Sequence, residues 1–187
     1  MNLILASQSP RRKELMGLYQ IPFTVRVTDI DETMDPAEDP RRAVARVSRS
    51  KAEAALQDSD EVVVAADTIV VCDGQVLGKP KDEADAFRML RLLSGRTHEV
   101  MTGITVLRGD RRITGTEVTE VVFRSLSDQE IRSYIATGEP MDKAGAYGIQ
   151  SGGALFVEAV MGDYYNVVGL PVCRLGQILR EFMEEGS

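Results

Sequence analysis

The sequence predicts an α/β protein: a mixed, twisted sheet flanked by helices, with two lobes and a central cleft. Short β-branched runs alternate with segments of helical periodicity. Ser9–Pro10 and Asp39–Pro40 each supply a helix cap followed by a first-turn proline. The middle of the chain then changes to long strands joined by a hairpin, which suggests the second lobe and hence the cleft. With 187 residues, 43% of them hydrophobic, the chain can bury most of its apolar surface as a single domain over 1–187.

Asn2 to Ala6 reads as a short buried strand, and Ser9 caps a helix that runs to about Tyr19. Phe23 to Val27 alternates like a strand, and the acidic stretch Asp29 to Asp39 reads as a loop. A second helix runs from Asp39–Pro40 to about Leu56. Glu61 to Cys72 is too rich in Val and Ile for a helix and long for a single strand. Asp73–Gly74 marks a tight turn into Gln75 to Leu77. Ala84, Phe87, Leu90 and Leu93 give helical spacing over Lys81 to Leu93, which stops at Ser94–Gly95. His98 to Leu107 and Arg112 to Phe123 read as strands of a hairpin. Ser127 and Glu130 form a capping box for a helix to Thr137, with Gly138 beyond its end. After glycine-dense Gly145 to Gly153, Ala154 to Val160 reads as a strand and Leu170 to Glu184 as a closing helix.

The net charge of −7 argues against nonspecific binding to nucleic acid or to an anionic membrane. An acidic protein that binds an anion must gather its cations locally. Cys72 and Cys173 lie in apolar surroundings and read as reduced core residues. The apolar start is too short for a signal-peptide core, and no run reaches membrane-spanning length, so a soluble cytoplasmic protein is expected. The one histidine, His98, has no partner at zinc-ligand spacing. Walker A, Gly-x-Gly-x-x-Gly and Gly-x-Ser-x-Gly motifs are all missing, which counts against P-loop kinases, dinucleotide enzymes and serine hydrolases.

Several residues carry possible chemistry. Ser7, Ser9, Arg11 and Arg12 stand where a strand meets a helix N-terminus, a place suited to phosphate. Solvated surface charge is the other reading, because Asp39-Pro40-Arg41-Arg42 repeats the pattern with an anion already in the cap. Lys51 continues the apolar stripe Val44, Val47, Ala55, so it either faces an anionic partner or snorkels at the core rim. Asp67 interrupts the run from Val62 to Val71 and needs a cation, a metal or several donors; a general base, a Mg²⁺ ligand or a structural salt bridge to an arginine would satisfy it. Glu32, in the acidic loop, is either a second metal-binding carboxylate or a solvated acid. Lys79 follows the turn after Asp67. Gln150, among closely spaced glycines, can both donate to and accept from a base edge, or it can belong to an irregular surface loop.

Taken together, these segments resemble the Maf family. The resemblance runs from Leu5-Ala6-Ser7-Gln8-Ser9-Pro10-Arg11-Arg12 to Asn166-Val167-Val168-Gly169-Leu170-Pro171. It passes through Asp31-Glu32, Lys51-Ala52, Ala66-Asp67-Thr68, Gly78-Lys79-Pro80, Ser94-Gly95-Arg96-Thr97-His98 and Asp142-Lys143-Ala144-Gly145-Ala146-Tyr147-Gly148-Ile149-Gln150. It implies a fold akin to the inosine triphosphate pyrophosphatases and hydrolysis of a nucleoside triphosphate to monophosphate and pyrophosphate, dependent on Mg²⁺ or Mn²⁺, with a homodimer as the implied assembly. In that resemblance Asp67 is the catalytic acid and Glu32 serves the metal or the water. Ser7, Arg12, Lys51 and Lys79 handle phosphate, and Arg11, Thr68 and Gln150 bear on base preference. Gln150 places the chain with the dTTP and UTP branch. A 7-methyl-GTP or modified-nucleotide pyrophosphatase and a nucleotide-binding regulator of cell division are the alternatives. Ser151 departs from the pattern, where glycine is more usual.

Overall fold

The computed structural model describes residues 2–184, so residue 1 and residues 185–187 of the expected domain lie outside the described residues. Strands β1 (Asn2–Ala6), β2 (Phe23–Val25), β3 (Glu61–Cys72), β4 (Gln75–Leu77), β5 (Thr97–Arg108), β6 (Arg111–Phe123) and β7 (Val157–Met161) belong to one mixed sheet. Its order is β2-β1-β3-β5-β6-β7, with β4 paired to β3. Helices α1 (Pro10–Gly17), α2 (Pro40–Ala55), α3 (Glu83–Leu93), α4 (Asp128–Ala136), α5 (Tyr164–Val168) and α6 (Val172–Glu184) connect and follow the strands. No helix among the described residues is long and apolar enough to cross a membrane.

The chain divides into two compact units. The first comprises residues up to Asp67, Thr102–Glu117 and the stretch from Gly169 onward; the second comprises Thr68–Met101 and Val118–Val168.

In the first unit β1 lies parallel to both β2 and β3, with Ala6 opposite Ala65 at the last pair of the β1–β3 register. Parallel strands buried on both faces read as continuous apolar runs, which accounts for Leu3 to Ala6 and Val62 to Ala66. Ile4, Ala6, Val63 and Ala65 pack against Ala52 and Ala55 of α2 in one cluster. Small side chains bring the helix close to neighbouring backbone. A Cβ built on Gly103 would stand 2.3 Å from the Val44 carbonyl oxygen, so this position admits no side chain without displacing α2. The opposite end of β3 carries a second buried carboxylate, Glu61, bound in a fork by Arg26 at 2.7 and 2.8 Å. That pair holds the Glu61 carboxyl well below its usual range, at about 2.

In the second unit, β4 turns back on β3 and β7 runs antiparallel to β6. His98, 2% exposed, packs edge-on against the rings of Phe123 and Tyr147, which also touch each other, and meets the Tyr147 hydroxyl at 2.7 Å through Nε2. Burial pushes its pKa down to about 4, so it is a neutral core histidine near pH 7.

Several expectations need correction. Glu61–Cys72 is one 12-residue strand despite its length, because it belongs in turn to both units. The strand expected over Ala154–Val160 starts at Val157, since Gly152–Phe156 coil into a 3₁₀ turn. The closing helix starts at Val172, and the preceding segment forms the separate short helix α5, the two divided by Gly169 at φ 128° and by Pro171. Cys173 is exposed, on the face of α6 opposite Leu175, Ile178 and Leu179, whereas Cys72 is buried as expected; both are free thiols.

Gly103→Ala should lower the unfolding free energy by about 1–3 kcal/mol through overpacking against the α2 backbone, measured by urea denaturation. Stability equal to the parent would show that α2 is not held at this distance.

Candidate active site

The first unit places Ser7 and Asp67 just beyond the Ala6–Ala65 pair, at the carboxyl end of β1, where its parallel pairing with β3 stops while β3 runs on to Cys72. Ligands of open α/β sheets gather at this edge. From β1 the chain enters α1 through Ser7–Ser9. Ser9 caps the helix by accepting from the Arg12 N–H at 3.4 Å, and Ser7 Oγ accepts from the Ser9 N–H at 3.1 Å. The Arg12 guanidinium reaches back, donating to the Gly169 carbonyl at 2.8 Å through Nε and to Ser7 Oγ at 3.5 Å through Nη1. With both acceptor positions of Ser7 Oγ used, its own hydrogen is left to donate. Burial depresses the Arg12 pKa and Arg11 adds to that, while Asp67 and Glu32 oppose both.

The α2 terminus makes the comparison explicit. There the Asp39 carboxylate takes the N–H groups of Arg41 and Arg42 at 3.0 and 3.2 Å, so the anion is built in. At α1 the cap is a neutral hydroxyl and the first turn carries no acidic residue, which keeps the site electropositive.

Opposite this terminus, Lys51 on α2 donates to Asp67 Oδ1 at 2.8 Å and meets Glu32 Oε1 at 3.0 Å. The Lys51 and Asp67 side chains are each 12% exposed, whereas Glu32 is 56% exposed. The cation that meets the interrupted apolar strand is therefore a lysine rather than an arginine, and it reaches a second carboxylate in the acidic loop. Two hard carboxylates gathered on one ammonium suit Mg²⁺ or Mn²⁺ chemically. Among the described residues, no group of three or more His, Cys, Asp and Glu side chains could hold a metal. Asp67 and Glu32 could hold a divalent ion only with further ligands from outside these side chains, as Mg²⁺ at phosphate sites commonly has.

A profile of Maf-like proteins matches residues 2–182. The chain belongs to the Maf family. A dTTP/UTP pyrophosphatase of Bacillus cytotoxicus is 51% identical over 180 residues, covering 96% of this chain and 94% of that protein. A second, from Bacillus cereus, is 49% identical over 181 residues, covering 96% and 95%. In fold the chain is similar to a Ham1 protein of Coxiella burnetii (TM-score 0.52, 15% identity, 97% and 99% of the two chains covered). The Ham1 protein of Staphylococcus aureus is similar at a TM-score of 0.51, with 14% identity and both chains fully covered.

Of the residues singled out by sequence, the structure joins Ser7 with Arg12, and Lys51 with Asp67 and Glu32, all within the first unit. Arg11, half-buried, is the neighbour of Arg12 in the first turn of α1. Thr68, Lys79 and Gln150 fall in the second unit, where Lys79 and Gln150 are exposed and Thr68 is half-buried. Gly169, whose carbonyl holds Arg12, escaped the Maf sequence pattern as a site residue, because a backbone acceptor leaves no side-chain signal.

A double-mutant cycle tests the pair at the centre of this cluster. Lys51→Met and Asp67→Asn should each reduce stability. Together they should lose less than the sum, with a coupling of about 0.5–3 kcal/mol by chemical denaturation. Strictly additive losses would make Lys51 a rim lysine with no hold on Asp67.

Proposed function

We propose that this Maf protein hydrolyses nucleoside triphosphates, dTTP and UTP foremost, to the monophosphate and pyrophosphate. The observation that carries the reading is the meeting of Asp67 and Glu32 on Lys51 at the strand edge that also ends in Ser7 and the electropositive start of α1. The dTTP/UTP pyrophosphatases at about half identity over nearly the whole chain support the substrate class.

Asp67 accepts a proton from a water whose oxygen bonds to the α-phosphorus. The bond from that phosphorus to the α,β-bridging oxygen breaks, and pyrophosphate leaves with the electron pair. General-base assistance of this kind contributes about 10²–10⁴ in rate. Ser7, Arg12, Lys51 and Lys79 stabilise the charge that grows on the departing β,γ-phosphates. The Gly169 carbonyl holds Arg12 in place before substrate arrives, which lowers the ordering cost on binding. Asp67 and Glu32 would hold Mg²⁺ or Mn²⁺ together with phosphate oxygens, and the ion would supply Lewis-acid polarisation of the phosphoryl group. Arg11, Thr68 and Gln150 bear on the base. A glutamine amide, one donor beside one acceptor, matches the O4 acceptor and N3–H donor of uracil and thymine.

Pyrophosphate release across a panel of nucleoside triphosphates should be fastest with dTTP and UTP. It should vanish with excess chelator and return on adding Mg²⁺ or Mn²⁺. Equal rates across all bases, preference for 7-methyl-GTP, or full activity in chelator would each contradict the reading.

A further inference from the structure

Gln150 stands at the tip of a turn whose two ends are tied to one pair, the buried Tyr134 and the half-buried Glu139. The Ser151 N–H closes the turn on the Gly148 carbonyl at 3.3 Å, leaving Ile149 and Gln150 as its central residues. Ile149 is buried and Gln150 exposed. The Gly148 N–H donates to the Tyr134 hydroxyl at 3.0 Å, and that hydroxyl donates to Glu139 Oε1 at 2.6 Å. From the other end of the turn, Ser151 Oγ donates to the same Glu139 oxygen at 2.5 Å, and the Gly152 N–H donates to Oε2 at 3.3 Å. Residues 148, 151 and 152 therefore converge on Tyr134, which is 6% exposed, and on Glu139.

The surroundings leave the turn little room to move. A Cβ on Gly148 would lie 2.7 Å from Lys143 Cε, one on Gly152 would lie 2.9 Å from the Tyr134 ring, and one on Gly153 would lie 2.6 Å from the Gly148 carbonyl oxygen. Lys143 is itself anchored to the Glu139 carbonyl at 2.8 Å. Burial raises the Glu139 pKa, but hydrogen bonds from Ser151, Tyr134 and Gly152 outweigh it and keep the carboxyl ionised as an acceptor.

We infer that Tyr134, Glu139 and Ser151 form a positioning clamp for Gln150, and that selection of a thymine or uracil base depends on it. The clamp rests on the reading that Gln150 contacts the base. Ser151, the departure from the family's glycine, thereby has a function: its hydroxyl adds a tie between the turn and Glu139 that a glycine lacks. An exposed amide of five heavy atoms has considerable rotamer freedom, and a backbone held at both sides limits where it can reach.

Steady-state kinetics with dTTP and dCTP test the clamp on Tyr134→Phe, Ser151→Ala and Gln150→Ala. Tyr134→Phe should raise the KM for dTTP about tenfold, the value of one well-placed hydrogen bond, with a much smaller change in kcat, and should erode the preference for dTTP over dCTP by a similar factor. Ser151→Ala should move both in the same direction and Ser151→Thr should restore them, a comparison that survives if Tyr134→Phe does not fold. In the Gln150→Ala background neither substitution should alter the preference further. Preference retained in Tyr134→Phe and Ser151→Ala but lost in Gln150→Ala overturns the clamp alone. Equal losses with and without Gln150 also overturn it, by making the effect structural. Preference unchanged in Gln150→Ala overturns the base-contact reading and the clamp with it.

Discussion

Asp67 sits in a strand whose neighbours from Val62 to Ala66 and from Ile69 to Cys72 are buried and apolar. A carboxylate in such a place costs several kcal/mol unless it is compensated, and Lys51 at 2.8 Å compensates it. Much of the first unit follows from that requirement. For a lysine on α2 to reach β3, the helix must lie close to the sheet, and Ala52, Ala55 and Gly103 allow it. Asp39 caps the start of α2, so the helix begins where its fourth turn delivers Lys51 to the strand. Removing the charge from Asp67 would leave Lys51 only the exposed Glu32 as an anchor.

The same requirement explains why this edge of the sheet is suited to a polyanion. The Asp67–Glu32–Lys51 cluster is balanced toward negative charge, whereas the first turn of α1 holds Arg11 and Arg12 and no acidic residue of its own. On the proposed function, a triphosphate with a divalent ion would satisfy both surfaces, the helix terminus taking phosphate and the carboxylates taking the metal. Near-duplicate sequence patterns at α1 and α2 thus differ in charge: one terminus carries its own anion and the other is capped by a neutral hydroxyl.

Most of this was legible in the sequence wherever a residue broke a local rule. Asp67 in an apolar run, Lys51 on an apolar stripe and Ser9–Pro10 before two arginines each violate the simplest packing expectation, and the structure places all three at one edge. The identity of Asp67's partner was not legible, because the pairing joins residues 16 apart in sequence through the packing of α2 on the sheet. Backbone contributors such as Gly169, and the role of Gly103, left no signal, since a carbonyl or a close approach depends on tertiary position rather than residue type. Strand limits near Val157 and the start of α6 were misplaced for a similar reason: 3₁₀ turns and a glycine at positive φ end elements without changing hydrophobic periodicity. Ser151 was visible as a departure, but its meaning emerged only with Glu139 beside it.

The proposed chemistry requires Asp67 to act on the attacking water, beyond its place in an ion pair. Its most direct test is pyrophosphate release from dTTP by Asp67→Asn, paired with calorimetric titration of the same variant with nucleotide. A loss in kcat of at least about 10²-fold with nucleotide binding retained is expected. A folded Asp67→Asn protein turning over dTTP within a few-fold of the parent would contradict it.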